Sequence, residues 1–97
     1  MNIYLTAPKN RHISPFVRQR RLEMVNCKAA ELIKNGHIVF SPMSYSQPIV
    51  LQYDLSTAIA WCDSVYVYRL AGWQGSTGVQ SEIEYAEKTG KPVIYID

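Results

Sequence analysis

The apolar positions of this chain alternate between a strand period and a helix period. Ile3 to Thr6 is a short apolar run that reads as a buried strand. Ala7 to Ile13 reads as a loop. Ser14-Pro15 then starts a helix, because serine caps well and proline fits the first helical position. Val17, Leu22, Val25, Ala29, Leu32 and Ile33 recur at helical spacing, and Gly36 after Asn35 is the expected stop. His37 to Ser41 reads as a second strand, ended by Pro42. Met43 to Gln52 is a loop longer than a usual βα connection, and such loops tend to carry function. Asp54 to Trp61 reads as a short helix with Leu55, Ala58 and Ile59 facing inward. Asp63 to Leu70, rich in Val and Tyr, reads as a third strand. A loop with Gly72, Trp73 and Gly75 leads to Thr77-Gly78-Val79-Gln80, which has the form of a capping box. The third main helix is expected from Thr77 to about Thr89, with Gly90 as its stop and Pro92 to Ile96 as the last strand.

The order βαβαβαβ predicts a parallel sheet with right-handed crossovers. The expected fold class is α/β: a three-layer, doubly wound, Rossmann/flavodoxin-like sheet of four or five strands in the order 2-1-3-4. With 97 residues, the expectation is one domain over 1–97. In such sheets ligands bind beyond the carboxyl ends of the strands, where the strand order reverses. Here that point lies between strands 1 and 3, among the loops that start at Ala7, Pro42 and Ala71.

Composition narrows the picture. The chain is 47% hydrophobic and 19% charged, enough apolar material for a core. A net charge of +2 is too small to argue for a nucleic-acid polymer, and none is expected as a partner. Lys9, Arg11, Arg18, Arg20 and Arg21 crowd the first quarter. They read either as a solvated helix face or as a local anion site near the first loop. No apolar run spans a membrane, and Met-Asn-Ile-Tyr-Leu enters a strand directly, so a cytoplasmic location without a signal peptide is expected. Cys27 and Cys62 both fall in expected helices, without the spacing of a zinc site. No metal and no cofactor are expected.

Chemistry concentrates near the last helix. With Val79 as zero and about 100° per residue, Ile83 falls near 40° and Ala86 near −20°, which defines a buried stripe. Glu82 falls at about −60°, on the flank of that stripe, whereas Glu84 points away. A carboxylate half out of solvent at the mouth of an α/β sheet suits covalent or acid–base chemistry. It equally suits a helix-dipole role. Asp54 opens the short helix and is either its cap or a second acid across the crevice. Two carboxylates about 5 Å apart would suit a retaining glycosyl transfer. Ser76 and Gly78 sit at a helix start, where a hydroxyl and backbone N–H groups form either a cap or an anion site. Tyr4 and Trp73 read as core and packing lid, or as rings that stack on a base or bracket a sugar. His12 and His37 are isolated and do not read as ligands.

Four blocks carry a family resemblance: Ile3-Tyr4-Leu5; Gly36-His37-Ile38-Val39-Phe40-Ser41-Pro42; Asp54-Leu55 ahead of Trp61-Cys62-Asp63-Ser64-Val65; and Ser76-Thr77-Gly78-Val79-Gln80-Ser81-Glu82 through Gly90-Lys91-Pro92-Val93. Together they cover nearly the whole chain and resemble the nucleoside 2-deoxyribosyltransferase-like superfamily, including its nucleotide N-glycosidases. The nearest likeness is to a small branch of uncharacterised function. The resemblance implies a nucleoside or nucleotide ligand. It assigns Glu82 as the nucleophile on C1′, and Asp54 to protonation or orientation of the leaving base. It places Tyr4 on sugar and nucleophile, and Ser76 on a 5′-phosphate. It also implies a homodimer or larger homo-oligomer. The nucleotide hydrolases cradle phosphate with a glycine- and arginine-bearing first loop. Here that loop is Ala7-Pro8-Lys9-Asn10-Arg11-His12, so Ala7, Lys9 and Arg11 are its candidate binding residues, with Trp73, Ser76 and Gly78 opposite. Transferases complete a neighbour's site with a C-terminal extension, whereas this sequence stops at Asp97. Hydrolysis of an N-glycosidic bond is therefore expected over transfer. A non-catalytic module for a nucleotide or an ADP-ribose-like ligand is the alternative.

Overall fold

A computed structural model describes residues 1–8, 14–44 and 54–97. Four strands form one parallel sheet: β1 (Asn2–Thr6), β2 (Ile38–Phe40), β3 (Ser64–Tyr68) and β4 (Val93–Ile96). Their order is β2-β1-β3-β4, as the alternation of elements predicts. Tyr4 is the register centre of the sheet, beside Phe40 on one side and Val65 on the other. The helices are α1 (Pro15–Lys34), α2 (Leu55–Trp61) and α3 (Thr77–Lys88).

Side chains alternate across the strands and create two cores. On one face Tyr4, Val65 and Val67 pack with Ile59 of α2 and with Val79, Ile83 and Ala86 of α3. The last three are the stripe that helical phase singles out. On the other face Leu5, Ala7, Tyr68 and Leu70 pack with Val25 and Ala29 of α1. The layers are thus α1, sheet, and α2 with α3.

Local signals explain the helix ends. Ser14 Oγ accepts the Val17 N–H at 3.2 Å, and Pro15 follows as the first helical residue. α1 and α3 end alike. Gly36 (φ 95°) and Gly90 (φ 78°) adopt the left-handed conformation that favours glycine. The next N–H groups, of His37 and Lys91, then return to the Leu32 and Ala86 carbonyls.

Several sequence expectations need correction. Val17 and Ile33 do not join the core; they are 38% and 55% exposed. Each lies about 80° around the helix from Val25, so the sheet meets only the central stripe of α1. Cys62 is not helical. It is the extended C-cap of α2, with its Sγ buried against the Ile59 carbonyl at 3.2 Å, and burial raises its thiol pKa. Thr77 is not a cap. Ser76 holds that position, and its Oγ accepts the Val79 N–H at 3.3 Å. Gln80 does not close a capping box either; its amide donates to the Trp73 carbonyl at 3.3 Å. The cause is the 3₁₀ turn Trp73–Gly75, which delivers Ser76 rather than Thr77 to the helix entrance.

Candidate functional site

Every strand of a parallel sheet points the same way, so α2 and α3, which lead into β3 and β4, both begin at the carboxyl ends of the strands. That single fact brings Asp54, the N-cap of α2, and Ser76, the N-cap of α3, to the same end of the molecule as the loops after β1 and β3. It is the end at which the strand order reverses, between β1 and β3.

The central contact is between β1 and α3. The Tyr4 hydroxyl donates to Glu82 Oε1 at 3.1 Å. The residue as a whole is buried, with its ring packed against Phe40 at 5.6 Å between centroids. Glu82 sits on the flank of the buried stripe and is half-buried, while Glu84 is exposed. The residues alone read Tyr4 as core or as a sugar contact. Its ring belongs to the core, and its hydroxyl is directed at the carboxylate. This donor fixes the orientation of the Glu82 carboxylate. The other oxygen, Glu82 Oε2, is itself buried.

Asp54 is exposed and fully engaged as a cap. Its carboxylate accepts from the Ser56 hydroxyl at 2.9 Å, the Ser56 N–H at 3.1 Å and the Thr57 hydroxyl at 3.2 Å. These bonds, the Ser56 hydroxyl foremost, hold its carboxyl below the usual aspartate range. A group kept ionised in this way can orient a partner or carry charge. It is poorly suited to giving up a proton near neutral pH.

Ser76 spends its hydroxyl on the Val79 N–H. Gly78 lies within the first turn of α3. A Cβ placed there would meet only Ser76 Oγ, at 3.9 Å, an ordinary contact. Neither strain nor crowding therefore requires a glycine at 78, and its effect is to leave the start of α3 open to approach.

Ala7 is buried among Leu5, Val25 and Ala29, so its methyl belongs to the α1 core and not to a ligand surface. Trp73 is half-buried and packs on Tyr95 of β4 at 5.5 Å between ring centroids. Its carbonyl also accepts the Ser76 N–H at 3.3 Å. It closes the β3–β4 side of the α3 layer, the packing role among its two readings. Lys9 and Arg11 lie outside the described residues.

One further cation reaches this end. Arg21 crosses from α1 to donate through Nη2 to the Ala71 carbonyl at 2.8 Å, just past β3. Its Nη1 is buried and has no hydrogen-bond partner among the described residues. The basic cluster in the sequence includes Arg21, but only the packing of α1 across the sheet separates it from exposed neighbours such as Arg20. Among the described residues no group of three or more His, Cys, Asp or Glu side chains could hold a metal ion. No described helix is long and apolar enough to cross a membrane.

Fold and site together define a doubly wound parallel α/β domain with a tyrosine-bound carboxylate beside its switch point. Over residues 1–97 the chain matches the family described as a domain of unknown function, DUF1937, and it belongs to that family. No curated protein matches it.

Proposed function

We propose that this domain cleaves the N-glycosidic bond of a nucleoside or nucleotide, with Glu82 as a covalent nucleophile. The observation that carries the reading is the 3.1 Å hydrogen bond from Tyr4 to Glu82 at the carboxyl end of the central strands. Support also comes from the resemblance of the block Ser76 to Glu82 to the nucleoside 2-deoxyribosyltransferase-like superfamily.

The chemistry has two steps. Glu82 attacks C1′ of the sugar as the C1′–N bond breaks, and the bonding pair leaves with the base, which takes a proton from water. Water then attacks C1′ of the glycosyl ester. This frees Glu82 and the sugar with its anomeric configuration retained. Tyr4 holds Glu82 in its attacking orientation. Asp54, kept ionised by its own helix, orients the base rather than protonating it. Arg21 and the open start of α3 suit an anionic 5′ substituent.

A second reading rests on Asp54. If its capping bonds leave the site without a proton donor, the same crevice binds a nucleotide or an ADP-ribose-like ligand without chemistry. Incubation of stoichiometric protein with deoxynucleosides and their monophosphates, followed by chromatography, separates the two. Free base supports the glycosidase. An intact ligand that raises the melting temperature supports the binding module and refutes the first reading.

A further inference from the structure

The face of the sheet opposite Glu82 is covered, among the described residues, by α1 alone. Beside α1 a groove of about 370 Å³ runs over Tyr68 of β3. Its helical wall is Arg20, Glu23, Met24, Cys27, Lys28 and Glu31, a single stripe along α1. Met24 is 42% exposed, Cys27 is exposed, and Ile94 on β4 is also exposed on this side. Two helices usually cover this face of a doubly wound sheet, and α1 fills one of those places.

The stripe has an internal symmetry. Arg20 lies four residues before Met24, and Glu31 lies four residues after Cys27. Read backwards about the midpoint of Val25 and Asn26, the stripe keeps Met24 and Cys27 at its centre and exchanges Arg20 with Glu31 and Glu23 with Lys28. We propose that this flank of α1 is a homodimer interface, in which α1 of a second copy packs antiparallel across a twofold axis. In that arrangement positions equidistant from the axis face each other. Arg20 of each copy meets Glu31 of the other, and Met24 meets Cys27. A parallel pairing would instead set Arg20 against Arg20 and Glu31 against Glu31, so charge selects the antiparallel one. Glu31 is already aimed along this flank. Lys28 binds it at 3.3 Å, with the Lys28 ammonium lying 5.4 Å from the centre of the Tyr68 ring, and Glu31 is still 62% exposed.

Analytical ultracentrifugation of the whole chain at low ionic strength tests this interface directly. The unmodified chain sediments as a reversible dimer that dissociates as salt is raised. Arg20→Glu and Glu31→Arg each weaken association about tenfold or more, because each sets two pairs of like charges across the axis. The double variant Arg20→Glu/Glu31→Arg restores it to within about threefold of the original, an outcome that simple misfolding cannot give. Circular dichroism confirms that each variant is folded. If Arg20→Glu does not fold, Met24→Glu, which puts a charge in the apolar centre, takes its place with the same expected loss. A chain that is monomeric at every concentration overturns the proposal. So does a dimer indifferent to the single changes, or a double variant that fails to recover.

Discussion

Tyr4 and Glu82 are 78 residues apart in the chain and joined by a 3.1 Å hydrogen bond from the phenol to the carboxylate. The sheet buries the tyrosine ring completely, so the hydroxyl has little freedom, and it sets where Glu82 Oε1 lies. A Tyr4→Phe variant keeps the ring that packs against Phe40 and removes this donor. The fold is expected to survive with a loss of about 1 kcal/mol, the worth of one hydrogen bond. Base release should fall by roughly ten- to a hundredfold in kcat with little change in KM. Steady-state kinetics beside thermal melting check both halves. A variant with unchanged kcat would remove Tyr4 from the site.

Asp54 links the site to acid stability. Its pKa is lower in the folded chain than the ordinary value of 3.8. The unfolded chain therefore binds that proton more readily, and the stabilisation is present above about pH 4. It is lost as the pH falls through the folded pKa. Asp54→Asn should retain much of the cap at neutral pH and flatten the acid limb of the stability curve. Melting temperatures across acid and neutral buffers report this. If Asp54 only orients the base, the variant also keeps measurable base release, whereas a general acid at this position would leave almost none.

Arg21 separates charged from uncharged ligands. Arg21→Gln should weaken binding of a nucleoside monophosphate about tenfold or more while leaving the corresponding nucleoside within about twofold. Calorimetric titration of both ligands on both proteins measures the difference. Equal losses for the two would mean that Arg21 serves only to tie α1 to the Ala71 carbonyl.

The start of α3 depends on Ser76. Replacing it with alanine should cost about 1 kcal/mol, because the Val79 N–H loses its acceptor. Thr77→Ala should change stability by less than about 0.5 kcal/mol, since Thr77 is an exposed helical residue. Urea unfolding of the two variants distinguishes the cap that is used from the one that the T-x-x-Q pattern suggests.

These contrasts show which features a sequence displays. Strand order was readable because alternating elements admit few arrangements, and Gly36 and Gly90 mark their helix ends through a backbone need that glycine meets best. The flank position of Glu82 was readable because Val79, Ile83 and Ala86 form an unambiguous stripe. The cap of α3 was not, because Ser76 and Thr77 are both good caps and the choice belongs to the turn at Trp73–Gly75. Trp73 admits two readings in the sequence because its partner, Tyr95, lies on a strand that periodicity cannot place beside it. The significance of Arg21 over Arg20 depends on how α1 crosses the sheet, which is a tertiary fact.

The proposed function stands or falls on Glu82. The most direct measurement is the rate of free-base release from deoxynucleosides and their monophosphates by the native chain and by Glu82→Gln, with both shown to be folded. The account predicts release by the native chain and a loss of about a thousandfold or more in the variant. A Glu82→Gln protein that releases base at the native rate would contradict it.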